Sequence, residues 1–250
     1  MQIESILQYL EGLLGVSEHP DYPTALNGLQ VEGARHVEKV CAAVDVSEEV
    51  IAAAAKEGAD LLFVHHGLYW AGLKPLTGRR YRKVRALMEN RMGLYSCHLP
   101  LDAHPDFGNC ALLSRAIDVE PEDRFGDYKG TPLGWAGAFD GTRSELVEKL
   151  ADAVGGPVQT LSGGPAKIDR VAVVTGSGAS FMEEAVGAGI TTLVTGEGSH
   201  HTYVDAIEMG MNVLYAGHYR TEVFGVKAVC EHLAENFDLE WSFLDFPSGL

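Results

Sequence analysis

Two stretches of this chain repeat each other without a gap. Residues 39–67 run KVCAAVDVSEEVIAAAAKEGADLLFVHHG, and residues 170–198 run RVAVVTGSGASFMEEAVGAGITTLVTGEG. In each, a basic residue opens a β-branched strand (40–44; 171–174) and a turn carries Ser47 or Ser177. An Ala-rich helix then ends at Gly58 or Gly189, and a second apolar strand follows (61–64; 192–195). Strand, helix and strand with a short return make the parallel crossover unit, which is normally right-handed. A duplicated crossover confines the chain to an α/β fold of two similar units with mainly parallel sheets.

The correspondence continues after a difference in spacing. Residues 91–98, RMGLYSCH, match residues 211–218, MNVLYAGH, so each half gains another strand ending in histidine. Helices are predicted before these strands, over 80–90 and 201–210, and after them, over 109–117 and 222–235. Residues 119–131 are polar and turn-rich with no sustained periodicity, which places a boundary near 125 and predicts units at 1–125 and 126–250, with room for intertwining. The second half opens with GWAGAF as a strand. A helix follows from Gly141-Thr142, with Leu146, Val147, Leu150 and Val154 on one face and Gly155-Gly156 at its end, and SGGPAK is a loop.

The segment before the repeat, MQIESILQYLEGLLG, places Ile3, Ile6, Leu7, Leu10 and Leu14 at helical spacing with acids between. It reads as an amphipathic packing helix rather than a signal peptide, and no apolar run approaches the roughly 20 residues that span a bilayer. A cytoplasmic protein is expected. With 35 acidic against 19 basic residues the formal charge is -16, which repels polyphosphate and makes nucleic acid a disfavoured partner. The basic cluster Arg79, Arg80, Arg82, Lys83 and Arg85 reads as solvated helix surface. Cys41, Cys97, Cys110 and Cys230 show no C-x-x-C spacing, so reduced, buried thiols are expected.

Chemistry concentrates where the predicted strands end, which is where open α/β sheets bind ligands. His65-His66, His98, Glu197 and His218 all sit there, and the two halves carry matching motifs, His98-x-x-x-Asp102 and His218-x-x-x-Glu222. Adjacent strand residues point to opposite faces, so His65 and His66 share a site only if the strand is ending, and Gly67 supplies that break. Histidine and carboxylate together suit zinc, iron, manganese, cobalt or nickel. A set of three imidazoles and two carboxylates exceeds the usual three ligands of a single catalytic zinc and suits two divalent ions sharing an activated water.

Each element also has a plainer role. His98 suits a strand-end histidine bonded to a carbonyl, Asp102 a turn or cap acid, and Glu222 a helix N-terminus. Glu197, standing where His66 stands in the first half, suits a proton shuttle or a cap. Gly176-Ser177-Gly178 is a tight turn, since no phosphate-loop motif completes it. His201 is a candidate substrate contact, His104 and Asn109 flank the Asp102 loop, and His19, His36 and His232 are incidental. The recurrence of a histidine and an acid on equivalent loops of two halves favours the metal.

Asn27-Gly-Leu-Gln-Val-Glu-Gly33, Phe63-Val-His-His-Gly67, His98-Leu-Pro-Leu-Asp-Ala-His104, Gly108-Asn109 and Gly217-His-Tyr-Arg-Thr-Glu222 together resemble the Nif-three-like family of dinuclear metal-centre proteins, also called type-two GTP cyclohydrolase one homologues. The resemblance covers almost the whole chain. It implies two similar α/β units with a metal pair between them, assembled as a homohexameric ring. It also implies His65, His66, Asp102, His218 and Glu222 as metal ligands, which leaves His98 and Glu197 as the proton-handling residues. Some relatives carry an inserted domain between the halves, and the short 119–131 connection indicates its absence here. The implied activity is hydrolysis of a nucleotide or related small molecule, with water opening the imidazole ring of GTP and formate leaving. The alternative is a ring-shaped, metal-binding scaffold that organises partners without turnover.

Overall fold

The structure is a computed structural model and describes residues 1–70 and 72–249. The first unit begins with α1 (Ile3–Leu14), β1 (Gly28–Val31), β2 (Lys39–Asp45), α2 (Glu48–Lys56), β3 (Leu61–His66), α3 (Gly78–Glu89) and β4 (Gly93–Ser96). A short helix, α4 (Leu99–Ala103), carries the chain into the second unit. There follow α5 (Asn109–Ala116), β5 (Asp123–Tyr128), β6 (Thr131–Thr142), α6 (Arg143–Val154), β7 (Gln159–Ser162) and β8 (Lys167–Val173). A single 3-10 turn leads into α7 (Met182–Gly187), then β9 (Thr192–Thr195), α8 (Thr202–Glu208), β10 (Asn212–Tyr215) and α9 (His218–Thr221). The chain then returns to the first unit with α10 (Val223–Phe237) and β11 (Glu240–Phe243).

The repeat builds the centre of each sheet. In the first, ordered β1-β4-β3-β2-β11, β3 pairs in parallel with β2 and β4, β11 pairs in parallel with β2, and only β1 runs antiparallel. In the second, ordered β5-β6-β8-β9-β10-β7, the parallel trio β8-β9-β10 is flanked by antiparallel β6 and β7. The expectation of mainly parallel sheets thus holds for the first unit, while the second is mixed. Alternation along β8 divides the second core, with Val171 and Val173 joining Leu113, Leu146 and Leu150. Ala172 joins Phe125, Met182 and Leu193 in the other cluster. That sheet is therefore buried on both faces. The first unit packs Val50, Ile51, Leu62, Val64, Leu87 and Leu94 together.

Local signals account for most elements. On α1, Ile6, Leu10 and Leu14 are buried at helical spacing. Thr142 caps α6 by accepting from the Glu145 backbone N–H, and the Glu145 carboxylate returns a bond to the cap, closing a reciprocal box. All four cysteines are buried free thiols. Among the described residues no helix is long and apolar enough to cross a membrane.

The division of the chain differs from the expected boundary near 125. The first unit takes Met1–Leu101 and Gly225–Phe246, and the second Asp102–Phe224 with Pro247–Leu250. Two features explain the difference. Part of the segment expected to be a connection is the strand β5, paired along its length with β6, and only Phe125 and Gly126 are buried among its polar residues. Each half also gives up its last helix. Leu113 of α5 packs with Leu146 and Val171 of the second unit. In the first unit, Tyr9 of α1 donates or accepts a hydrogen bond with His232 of α10 at 2.7 Å and meets Phe237 edge-on.

Leu233 of α10 is fully buried. Leu233→Ala is expected to cost about 2–5 kcal/mol, the range for truncating a buried leucine, measured as a fall in the urea midpoint. A change within about 0.5 kcal/mol, the range of surface substitutions, would contradict the burial.

Candidate metal centre

In the first unit the register of the sheet positions three imidazoles. Asp45, ending β2, is the ladder partner of His66, ending β3, and its Oδ1 lies 3.0 Å from His66 Nδ1. His65 is fully buried, and its Nδ1 donates to the Cys97 carbonyl just past β4 at 2.9 Å. His98 follows, with its backbone N–H donating to Asn27 Oδ1 at 2.8 Å and its Nδ1 2.9 Å from Asp21 Oδ1. Burial alone would raise the Asp21 pKa, but bonds from His98, Asn27 and the Tyr22 N–H outweigh it and hold the carboxyl below its usual range.

The imidazoles of His65, His66 and His98 converge. Each brings one ligand atom to a group lying within 4.8 Å of one another, and the His65 and His66 ring centroids are 4.7 Å apart. The strand ends at His66, as the sharing of one site requires. Glycine follows because a Cβ at residue 67 would overlap the Gln30 side chain, whose Oε1 accepts from the Leu68 N–H at 2.8 Å.

In the second unit, His218 opens α9 after β10. Its Nδ1 lies 2.8 Å from Glu197 Oε1 and its Nε2 3.2 Å from Glu222 Oε1, with Glu222 almost wholly buried. Burial disfavours the imidazolium, but the two carboxylates outweigh it, Glu222 first and Glu197 next, and lift the His218 pKa to about 9. Asp102 is also buried, its Oδ1 accepting from Asn109 Nδ2 at 2.8 Å and Thr175 Oγ1 at 3.2 Å. Cys110 lies 3.3 Å from Thr175 Oγ1, and burial, reinforced by the Asp102 charge, pushes its thiol up to about 12, so it remains protonated.

The donor chemistry fits divalent transition ions, and so does the space around it. Gly176 has φ +62°, and a Cβ there would overlap Glu222 Oε1 and lie 3.4 Å from His218 Nε2. Only a residue without a side chain leaves that volume open beside two candidate ligand atoms. Thr221 fixes the turn, its Oγ1 accepting from the Gly176 N–H at 3.0 Å and donating to the His218 carbonyl at 2.9 Å.

The remaining candidates separate cleanly. Glu197 anchors His218 and, half-exposed, lines an 830 Å³ cavity of the second unit with His200, Tyr203 and Tyr215. His201 is exposed at the start of α8. His104 Nδ1 accepts from the backbone N–H groups of Asp106 and Phe107, a turn role. Asn109, expected only as a flanking residue, holds Asp102. Asp21, Asn27, Asp45, Thr175 and Thr221 also support the site, beyond the candidate residues legible in the sequence. For Asp45 a signal existed, a carboxylate ending the strand beside the one that ends in His65-His66.

A model of the Duf34/NIF3 (NGG1p interacting factor 3) family matches residues 1–248. The chain belongs to the NIF3 family. It is 42% identical over 256 residues to the GTP cyclohydrolase 1 type 2 homolog of Halobacterium salinarum, with both chains covered in full. It is 39% identical over 249 residues to the homolog of Deinococcus radiodurans, covering 99% of this chain and 94% of the relative. The crystal structure of TTHA1606 from Thermus thermophilus superposes with a TM-score of 0.90 at 37% identity, over the full length of both chains. The α/β fold with two sheets is therefore that of NIF3 proteins.

Two outcomes follow from this geometry. Gly176→Ala is expected to lower bound metal, measured by elemental analysis, at least tenfold, the low end for disturbing a ligand's support, while far-ultraviolet dichroism is preserved. Unchanged metal content would remove Gly176 from the site. In chelator-treated protein the His218 ring is expected to titrate near pH 9 by NMR. Because that value lies above 6.5, its stabilising contribution is complete below pH 6.5 and is lost as pH rises through about 9. Melting curves across pH 6–10 should show that loss, and His218→Gln should abolish it.

Proposed function

We propose that this NIF3 protein is a hydrolase that binds two divalent ions through His65, His66, Asp102, His218 and Glu222 and acts on a nucleotide or related small molecule. One observation carries the reading. His65, His66 and His218 each commit Nδ1 to a carbonyl or carboxylate oxygen between 2.8 and 3.0 Å away. Metal-ligating histidines are held in this way, because the second hydrogen bond fixes the ring and its tautomer and leaves Nε2 as the ligand atom. Divalent ions held by these residues would supply Lewis acidity, which lowers the pKa of a water and offsets negative charge on the substrate.

The residues around the ligands handle protons. Glu197 holds the Nδ1 side of His218 while its exposed face meets the cavity, so it is placed to take a proton from a molecule lying there. His98, backed by Asp21, keeps one ring nitrogen committed and can exchange a proton at the other. Opening of the GTP imidazole ring with release of formate is the specific reaction we propose. It rests on the name shared by the curated relatives, GTP cyclohydrolase 1 type 2 homolog. Zinc, iron, manganese, cobalt and nickel all suit this donor set. A homohexameric ring in the cytoplasm completes the proposal.

The test is an activity screen across GTP, other nucleotides and cyclic amides on protein of measured metal content. His65→Ala and Glu222→Ala should each lose bound metal and lower turnover at least a hundredfold, about 2.7 kcal/mol in the barrier. Turnover that survives the loss of metal in both variants would end the hydrolase reading. Full metal occupancy with no turnover on any of these substrates would favour the scaffold.

A further inference from the structure

The basic cluster on α3 does not behave as one solvated surface. Arg82 donates twice to the Glu48 carboxylate, from Nε and Nη2 at 2.7 Å each. Arg85 pairs with Glu89 one turn along the same helix at 2.7 Å. Arg79, Arg80 and Lys83 instead line a 190 Å³ pocket, together with Asp45, His66, Gly67, Leu68 and Trp70. The hydrogen bonds that Arg80 and Lys83 make go to carbonyls. Arg80 Nη1 donates to Gly72 at 3.1 Å and Lys83 Nζ to Val46 at 2.5 Å.

This placement runs against ordinary helix electrostatics. The N-terminal turn is the positive end of a helix and favours carboxylates. The first turn of α2 carries Glu48 and Glu49, but that of α3 carries no acid and places Arg79 and Arg80 there. Lys83 is half-buried against the same cations, with burial first and Arg79 second in lowering its pKa. The one carboxylate of the pocket, Asp45, is engaged by His66 Nδ1. Three cations against one carboxylate, at the positive end of a helix, leave the pocket strongly positive in a chain of formal charge -16.

We propose that this pocket seats the phosphoryl group of the substrate. Arg79, Arg80 and Lys83 bind the phosphate oxygens, and the Trp70 face packs against the attached ring. A dianionic phosphate supplies the charge that the helix end lacks, and arginine matches its oxygens with paired donors. His66, a proposed metal ligand, is part of the pocket wall, so a molecule held by its phosphate there reaches the metal centre with its remainder. Trp70 is 40% exposed and meets His98 edge-on at 4.3 Å between ring centroids, which presents an aromatic surface beside both. The inference rests on the metal-centre reading for its purpose, and it narrows the substrate to a phosphorylated aromatic compound such as a nucleotide.

Binding can be measured without turnover. Isothermal titration of chelator-treated, full-length protein with inorganic phosphate and with guanosine 5′-monophosphate removes both metal coordination and catalysis from the readout. Arg79→Gln and Lys83→Gln, made singly and together, should weaken both probes by about tenfold or more, as expected for lost bonds to a charged group. Arg82→Gln and Arg85→Gln remove the same charge from the same helix and should leave both affinities within about twofold, less than a single neutral hydrogen bond is worth. Trp70→Ala should weaken the nucleotide while sparing inorganic phosphate. No binding of either probe to the unmodified chain, or equal losses in the two pairs of variants, would overturn the phosphate seat. Nucleotide binding unaffected by Trp70→Ala would overturn the place given to the ring. Phosphate binding that persists in a protein with no hydrolytic activity would leave this seat standing while the hydrolase reading falls.

Discussion

The hydrogen bond from an imidazole Nδ1 to an oxygen fixed at the end of a neighbouring strand is the constraint on which the candidate site depends. A histidine at the end of a strand can turn freely, and a ring that turns holds neither a metal nor a proton in a defined place. Here His66 is fixed by its ladder partner Asp45, so the pairing of β2 with β3 sets the orientation of the ring. His65 depends on the Cys97 carbonyl, and the Cys97 N–H in turn donates to Val64 at 3.0 Å. A slip of one residue in this sheet would exchange the faces of every side chain on the strand and separate each ring from its acceptor. The apolar core beneath the sheet therefore also determines the chemistry at its edge.

The two halves reach a common kind of end by unequal means. In the repeat, Asp45 corresponds to Gly176 and His66 to Glu197. The first half thus places a carboxylate where it braces the imidazole of the next strand. The second half puts its carboxylate at the strand end, where it braces His218, and leaves the equivalent of Asp45 without a side chain. That glycine is the counterpart of an aspartate because an additional group there would collide with Glu222. The two halves share the aligned scaffold, and unlike residues at two aligned positions make one half imidazole-rich and the other carboxylate-rich.

Much of this was legible in the sequence, and the limits are physical. The crossover units, the strand-end histidines and the helix capped by Thr142 are visible because periodicity and capping are local. The apolar run at 192–195 predicts a strand, which is β9. Polar β5 was hidden because its pairing with β6 creates its identity, and the alternation it shows is weak. The bracing groups Asp21, Asn27 and Thr175 were hidden for a related reason. They lie far along the chain from the side chains they hold, Asp21 and His98 being separated by 77 positions and Asp102 and Thr175 by 73. The basic cluster reads from sequence as solvated because charge alone does not show that two of its members are neutralised by glutamates while three face a pocket.

The exchange of last helices bears on how such a chain arose. Helices α5 and α10 follow equivalent strands, yet each belongs to the unit built mainly by the other half. Two identical ancestral chains that traded a terminal helix would have formed a closed, twofold pair in which neither chain was complete alone. Joining them end to end keeps the trade and makes the partner permanent. In a single chain each half is free to change without the other, which a symmetric pair of identical chains forbids. Aligned positions 45 and 176, and 66 and 197, hold unlike residues, which two copies encoded separately within one chain permit and a pair of identical chains does not.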